Sequence, residues 1–232
     1  MLEGDALTIA ILIFPDFDQL DATGPFEVLA QLRGSRVLWV ARDAAPVRDM
    51  RGLTLVPNAT FSDVSAADVL VVPGGAGQEL LMEDELALDW IRLVFAGAKL
   101  VLSVCTGALI LGAAGLLRGR RMTTHWAAHE LLPLLGAEPI RERVVVDGTL
   151  ISTAGVSAGI DGALRAVAEL RGESTARAIQ LGIEYDPSPP FSGGTPETTP
   201  VAVLGRVEQA LQPLRERRRA TVQRVRARLA ID

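Results

Sequence analysis

The chemistry available to this chain of 232 residues turns on its one cysteine. Cys105 lies in "VLSVCTGALILGAAGLL" (101–117), where an apolar run meets a small-residue stretch. A strand that turns directly into a helix presents its last side chain at the carboxyl edge of the sheet, where open α/β sheets bind ligands. The small Thr106-Gly107-Ala108 lets a helix start close to the strand and aim its first amides at the sulfur. That placement predicts a lowered thiol pKa and a nucleophile active near neutral pH. The alternative is a buried small hydrophobe, so the nucleophile needs an acid or base nearby.

Other strand ends offer candidates. "FPDFDQLDATGPFEVL" (14–29) carries Asp16, Asp18, Asp21 and Glu27. Asp21 precedes Thr23-Gly24-Pro25, an expected helix start, so it reads either as the acid partner or as a helix N-cap. Asp16 and Asp18 read as solvated loop carboxylates. In "PGGAG" (73–77), Gly75 could turn its amide toward a negative intermediate, as an oxyanion hole requires, or simply make a tight turn. His125 and His129 in "TTHWAAHE" have the i, i+4 spacing of metal ligands, but no suitably spaced third ligand follows. No metal is expected, and packing beside Trp126 is the better reading for at least one of the two.

Parallel strands joined by crossover helices would put these residues on one edge. "LTIAILIF" (7–14), "RVLWVA" (36–41), "DVLVVPGG" (68–75) and "KLVLSVC" (99–105) are the main strand candidates, continuously apolar as strands buried on both faces should be. Helices rich in Ala and Leu alternate with them, which predicts an α/β fold. "RVVVDGTLIST" (143–153) reads as a hairpin turning at Asp147-Gly148, outside the main sheet. Helices are expected over 156–170 and 173–183, a Pro/Gly-rich wrap or connector over 184–200, and an amphipathic helix over 201–229.

With 49% hydrophobic and 22% charged residues the chain can bury a large core, and one domain over 1–232 is expected. The net charge of −5 gives no general attraction to phosphate backbones, although "RERRRATVQRVRAR" (215–228) is locally basic; nucleic acid is not an expected partner. The acidic lead of "MLEGDALTIAILIF" and the shortness of its apolar run predict neither a signal peptide nor a membrane span. One cysteine makes no internal disulfide, so the cytoplasm is the expected compartment.

"VVPGG" (71–75), "SVCTGALILGAAGLLRGRRMTTHW" (103–126) and "AGVSAGIDGAL" (154–164) together resemble the DJ-1/PfpI superfamily, over nearly the whole chain. Within it, 14–29 and "IEYDPSPPFSGGTPETTP" (183–200) are similar to a branch that hydrates isocyanides. The resemblance implies a flavodoxin-like sandwich with a mostly parallel sheet, helices on both faces and a cysteine elbow, in a homodimer without cofactor. It also implies Cys105 as nucleophile, with Asp21 and Thr106 as catalytic partners. Many superfamily members carry glutamate where Asp21 stands. His125 matches the superfamily's histidine near the thiol, but no general-base role is assigned to it. The same segments occur in AraC-type transcription regulators, whose further helix-turn-helix units have no counterpart before Asp232.

The expected reaction is attack of the Cys105 thiolate on the terminal carbon of R–N≡C, through a covalent thioimidate, with water releasing an N-substituted formamide. Asp21 would move the protons, its pKa raised beside a thiolate, while the amides of Gly75 and Thr106 stabilise charge. The pocket should be apolar, with Trp126 and Val156 as wall candidates. Two alternatives stay open: a non-catalytic redox or ligand sensor built on Cys105, and a hydrolase acting on another small electrophile.

Overall fold

The computed structural model describes residues 6–231; the acidic lead at 1–5 lies outside the described residues. Eleven strands follow in chain order: β1 (Thr8–Leu12), β2 (Arg36–Ala41), β3 (Val47–Arg48), β4 (Thr54–Leu55), β5 (Ala59–Thr60), β6 (Val69–Val72), β7 (Leu100–Val104), β8 (Arg121–Met122), β9 (Glu138–Pro139), β10 (Val144–Asp147) and β11 (Leu150–Thr153). The helices are α1 (Gln19–Leu29), α2 (Gln78–Leu81), α3 (Glu85–Gly97), α4 (Gly107–Ala113), α5 (Ala158–Arg171), α6 (Glu173–Gly182) and α7 (Val201–Arg228). Two 3₁₀ turns span Trp126–Leu131 and Pro133–Leu135.

Seven strands form one sheet in the order β10-β11-β7-β6-β1-β2-β5, parallel at every pair except β10–β11. The four expected main strands all lie in it. The hairpin at Asp147-Gly148 forms as read but extends the main sheet instead of lying outside it, because Leu150–Thr153 pairs in parallel with Val101–Val104. Turn chemistry is local and legible; the pairing partner lies about fifty residues away and is not.

All of β6 and β7 is buried, which requires a covering layer on each face. On one side α1 and α5 pack together over the sheet, with α6 against α5. On the other, α4 lies on β6 and β7, with α2, α3 and α7 against it. Gly107 opens α4, where a β-carbon would collide with the Val72 carbonyl, so only glycine lets the helix begin this close to the sheet. No helix among the described residues is long and apolar enough to cross a membrane.

The expected start of the first helix changes, while the last helix forms as read. Helix α1 starts at Gln19, before Asp21, and carries Pro25 in its interior; its N-cap is Asp18, whose carboxylate accepts from Leu20 N–H at 3.2 Å. Asp18 is therefore no free loop acid, and Asp21 is no cap. Helix α7 buries only Arg218, Thr221, Val222 and Val225, and its arginines reach Glu79, Glu83, Glu85 and Glu130 of the same chain.

Candidate active site

Cys105 sits between β7 and α4 with φ of 54°, a left-handed conformation that costs a non-glycine residue on the order of 1–3 kcal/mol. The surroundings hold it there. Its amide donates to the carbonyls of Thr153 (3.2 Å) and Ala154 (3.0 Å), and its own carbonyl accepts from Thr124 Oγ1 (2.7 Å). With both peptide groups anchored, the side chain is turned to the edge of the sheet and retains 7% exposure. The elbow read from the sequence is present.

The loops after β1 and β6 are stitched together beside it. Asp18 N–H donates to the Gly74 carbonyl (2.9 Å), Gly77 N–H to the Asp16 carbonyl (3.0 Å), and Phe17 bridges Gly75. Gly75 has φ of +126°, and a β-carbon there would strike the backbone of residues 16–18, so glycine is required. This stitching puts the first turn of α1 over the elbow, and Asp21 becomes fully buried.

Asp21 Oδ2 accepts from Gly74 N–H at 2.9 Å, and the Cys105 thiol faces the same carboxyl; Oδ1 meets no other donor. Burial first, and then the nearby Asp18 charge, push the Asp21 pKa up to about 7, against the opposing pull of Gly74, Cys105 and Arg218. That agrees with a carboxyl able to trade protons near neutrality. The thiol itself departs from expectation. Burial and the adjacent Asp21 carboxylate drive its pKa well above the usual cysteine value, outweighing the Thr106 amide and Arg218, which act to lower it. Desolvation outweighs the pull of the helix start, and at rest the sulfur keeps its proton.

Thr106 is buried, with its amide turned to the sulfur and its hydroxyl accepting from Gly75 N–H at 3.2 Å. The Gly75 amide thus supports Thr106, and the hydroxyl keeps its own proton to donate. The amide that reaches the acid is that of Gly74, the residue before Gly75.

His125 directly follows Thr124, whose hydroxyl holds the Cys105 carbonyl. Its Nδ1 accepts from Ala127 N–H at 3.2 Å, which leaves the ring proton on Nε2. Burial and the positive Arg218 hold its pKa down to about 4, so the ring is neutral at pH 7. Its ring centre lies 5.5 Å from that of Trp126. His129 is buried with Nε2 on the Ile140 carbonyl at 3.0 Å.

A cavity of about 590 Å³ opens beside the elbow. Trp126 and Val156, the two expected wall residues, line it together with Leu20, His125 and Ala154. Its wall is not uniformly apolar: Arg141, Arg143, Glu142 and Glu197 also contribute. Arg143 is engaged by Asp161 and Ser157. Residues 194–197 of the Pro/Gly-rich segment form part of the same wall, so the segment lies over the cavity of its own chain.

One buried group went unread. Arg218 is 6% exposed, extends Nη2 to the Gly75 carbonyl at 3.4 Å, and biases Cys105, Asp21 and His125 alike. Within "RERRR" no arginine stands out by type. The available signal was periodic: Arg218 falls at i, i+4, i+7 with Val222 and Val225, on the one stripe that faces inward.

A parallel α/β sheet with its cysteine on a strained strand-to-helix turn, faced by a buried carboxyl, defines a protein of the cysteine-elbow class. The chain belongs to the DJ-1/PfpI family, whose match spans residues 7–169. It is 50% identical to the isonitrile hydratase of Pseudomonas putida, over 97% of this chain and 98% of that one. A deglycase from Pyrococcus abyssi is 30% identical over 63% of this chain and 89% of its own. Among solved structures, a THiJ/PfpI family protein from Pseudomonas syringae superposes with a TM-score of 0.92 at 38% identity, covering 95% of this chain and 92% of that one.

Proposed function

We propose that this protein hydrates isocyanides to N-substituted formamides, with Cys105 as nucleophile and Asp21 as proton carrier. The observation that carries the chemistry is the buried pair: a protonated thiol facing a carboxyl with a pKa of about 7. The 50% identity to the Pseudomonas putida hydratase, spread over nearly the full length, supports the choice of substrate.

The steps follow from the protonation states. As sulfur bonds to the terminal carbon of R–N≡C, the ionised Asp21 takes the thiol proton, so no free buried thiolate has to persist. Protonated Asp21 then gives that proton to the same carbon, forming the thioimidate R–N=CH–S. Water adds to this carbon, its proton passing to nitrogen by way of Asp21. The C–S bond breaks, sulfur regains a proton, and R–NH–CHO leaves. The Thr106 amide faces sulfur throughout, and its hydroxyl, braced by Gly75, can donate to the incoming water. Neutral His125 serves as a wall of fixed polarity and not as a base. No metal or organic cofactor enters any step.

In this reading the protein works as a homodimer in the cytoplasm. Sedimentation at micromolar concentration tests it.

The decisive experiment mixes the purified protein with an aryl isocyanide and follows the formamide by chromatography and mass, with Cys105→Ala as control. Many turnovers per molecule, absent in the variant, are expected. A well-folded wild type that makes no formamide from several isocyanides would transfer the elbow to a redox sensor or to a hydrolase of another electrophile.

A further inference from the structure

We propose that Arg218, reaching in from α7, is a positioning residue that supplies the positive charge under which the Cys105–Asp21 pair gives up its proton. The inference rests on Cys105 as nucleophile but not on the identity of the electrophile.

Geometry carries it. Arg218 is 6% exposed, and among the described residues no ion pair neutralises it. Its one hydrogen bond, Nη2 to the Gly75 carbonyl at 3.4 Å, is at the long end of the range, and its buried Nε meets no acceptor. A guanidinium has five N–H donors and cannot shed its charge in a protein. Burying such a cation without a partner is costly, so a compensating anion is required nearby. The orphaned Asp21 Oδ1 and the sulfur of Cys105 lie on the same side of the sheet edge, and each feels the guanidinium.

The Gly75 carbonyl that holds Arg218 belongs to the residue whose amide holds Thr106. One peptide segment therefore couples the cation to the threonine beside the sulfur. As the thiol proton passes into the Asp21 carboxyl and sulfur loses charge to carbon, the net negative charge of the pair stays near one. Arg218 offsets that charge from outside the reacting atoms.

The charged and titratable groups around the site are Asp18 at the cap of α1, Asp21 within it, Glu79 from α2, Cys105 at the elbow, His125 before the first 3₁₀ turn, and Arg217 on α7 itself. Glu79 is the counterweight: it lies close enough to act on Arg218, while its Oε2 pairs with Arg217 Nε at 3.3 Å. Removing the Glu79 charge should leave more of the Arg218 field for the pair.

The test needs no substrate. Alkylation of Cys105 by iodoacetamide is followed by mass from pH 5 to 10 in wild type, Arg218→Gln, Arg218→Lys and Glu79→Gln, with folding checked by circular dichroism. Arg218→Gln should move the reactivity midpoint up by about one pH unit, about a tenfold slowing at pH 7, and Arg218→Lys should recover most of it. Glu79→Gln should speed alkylation about two- to threefold, the opposite sign. A glutamine variant within twofold of wild type, or a lysine variant as slow as glutamine, overturns the proposal, the second because packing alone would then explain the loss. If Arg218→Gln does not fold, an unchanged or slower Glu79→Gln overturns it. Formamide production in the same set separates the two readings. Shifted alkylation without wild-type turnover removes the hydratase and keeps Arg218, whereas turnover with unshifted alkylation does the reverse.

Discussion

Every residue of β7 and α4 is buried, whereas only four of the 28 residues of α7 are. The elbow rests on apolar contact: Leu109, Ile110 and Leu111 are all fully buried. The terminal helix presents mostly charge to the domain, with Arg224 forked onto Glu83 at 2.7 and 2.9 Å and Arg228 on the carbonyls of Met82 and Ala113. Yet the middle of the chain and its last helix meet at one sulfur. The first fixes where the nucleophile stands; the second, through Arg218, influences which protonation state it holds. Position is thus set by the elbow and by its anchors at Thr124, Thr153 and Ala154, and electrostatics by a residue more than a hundred positions away.

The sharpest way to break this comparison is at the acid. Asp21→Asn keeps the shape and leaves a carbonyl oxygen for the Gly74 amide, but it can neither take nor return a proton. Turnover of an isocyanide should fall by about 10²–10⁴, the usual contribution of a positioned acid–base group. A loss below about tenfold would mean that Asp21 neither carries the proton nor supplies a charge that the reaction needs. In that case α7 would matter more than α1.

Next in size is the packing of the elbow itself. Leu111→Ala should cost about 2–5 kcal/mol in urea unfolding, as large-to-small changes at fully buried positions do. A cost under about 1 kcal/mol would show that α4 is not the rigid base that the strained Cys105 backbone requires.

How much of this was readable divides along the same line. Continuous apolar runs named β1, β2, β6 and β7, because a strand covered on both faces leaves no polar position to blur the pattern. Asp147-Gly148 named its hairpin for an equally local reason. Asp21 is legible as a candidate, but the role of cap belongs to Asp18: the helix begins three residues earlier than a cap at Asp21 would place it, and Pro25 is accommodated inside α1. The direction of the Cys105 shift was missed because a helix terminus can be read from a motif while burial by a distant helix and loop cannot. Arg218 was hidden among like neighbours, and only the inward stripe of α7 distinguishes it.

The two titrating neighbours of the sulfur make opposite claims on stability. Asp21 rises from 3.8 unfolded to about 7 folded, so its contribution is complete below about pH 4 and is lost as pH rises through 7. His125 falls from 6.5 to about 4, so its contribution is complete above 6.5 and is lost as pH falls through 4. His125→Gln should therefore flatten the acid limb of the stability curve by roughly 2–3 kcal/mol between pH 6.5 and 4. Asp21→Asn should flatten the limb between pH 4 and 7, raising stability at pH 8 relative to wild type. Urea titrations at pH 4, 6 and 8 resolve both, and identical slopes in wild type and variant would place either group in contact with water.

The smallest effect should come from the most conspicuous ion pair. Arg224 and Glu83 make a forked contact, but their side chains are 57% and 39% exposed. Exposed pairs are worth little, since water already solvates both charges and fixing two long side chains has an entropic cost. Arg224→Gln should change the melting temperature by no more than about 2 °C, and high salt, where the screening length shrinks to about 3 Å, should erase even that. A fall of more than about 5 °C at low salt would mean that α7 is clamped to the domain by its arginines acting together. The buried contacts of Val222 and Val225 would then be secondary, and the cation at the site would be held in place by surface charge, a dependence that rising salt would expose as a loss of Cys105 reactivity before any loss of fold.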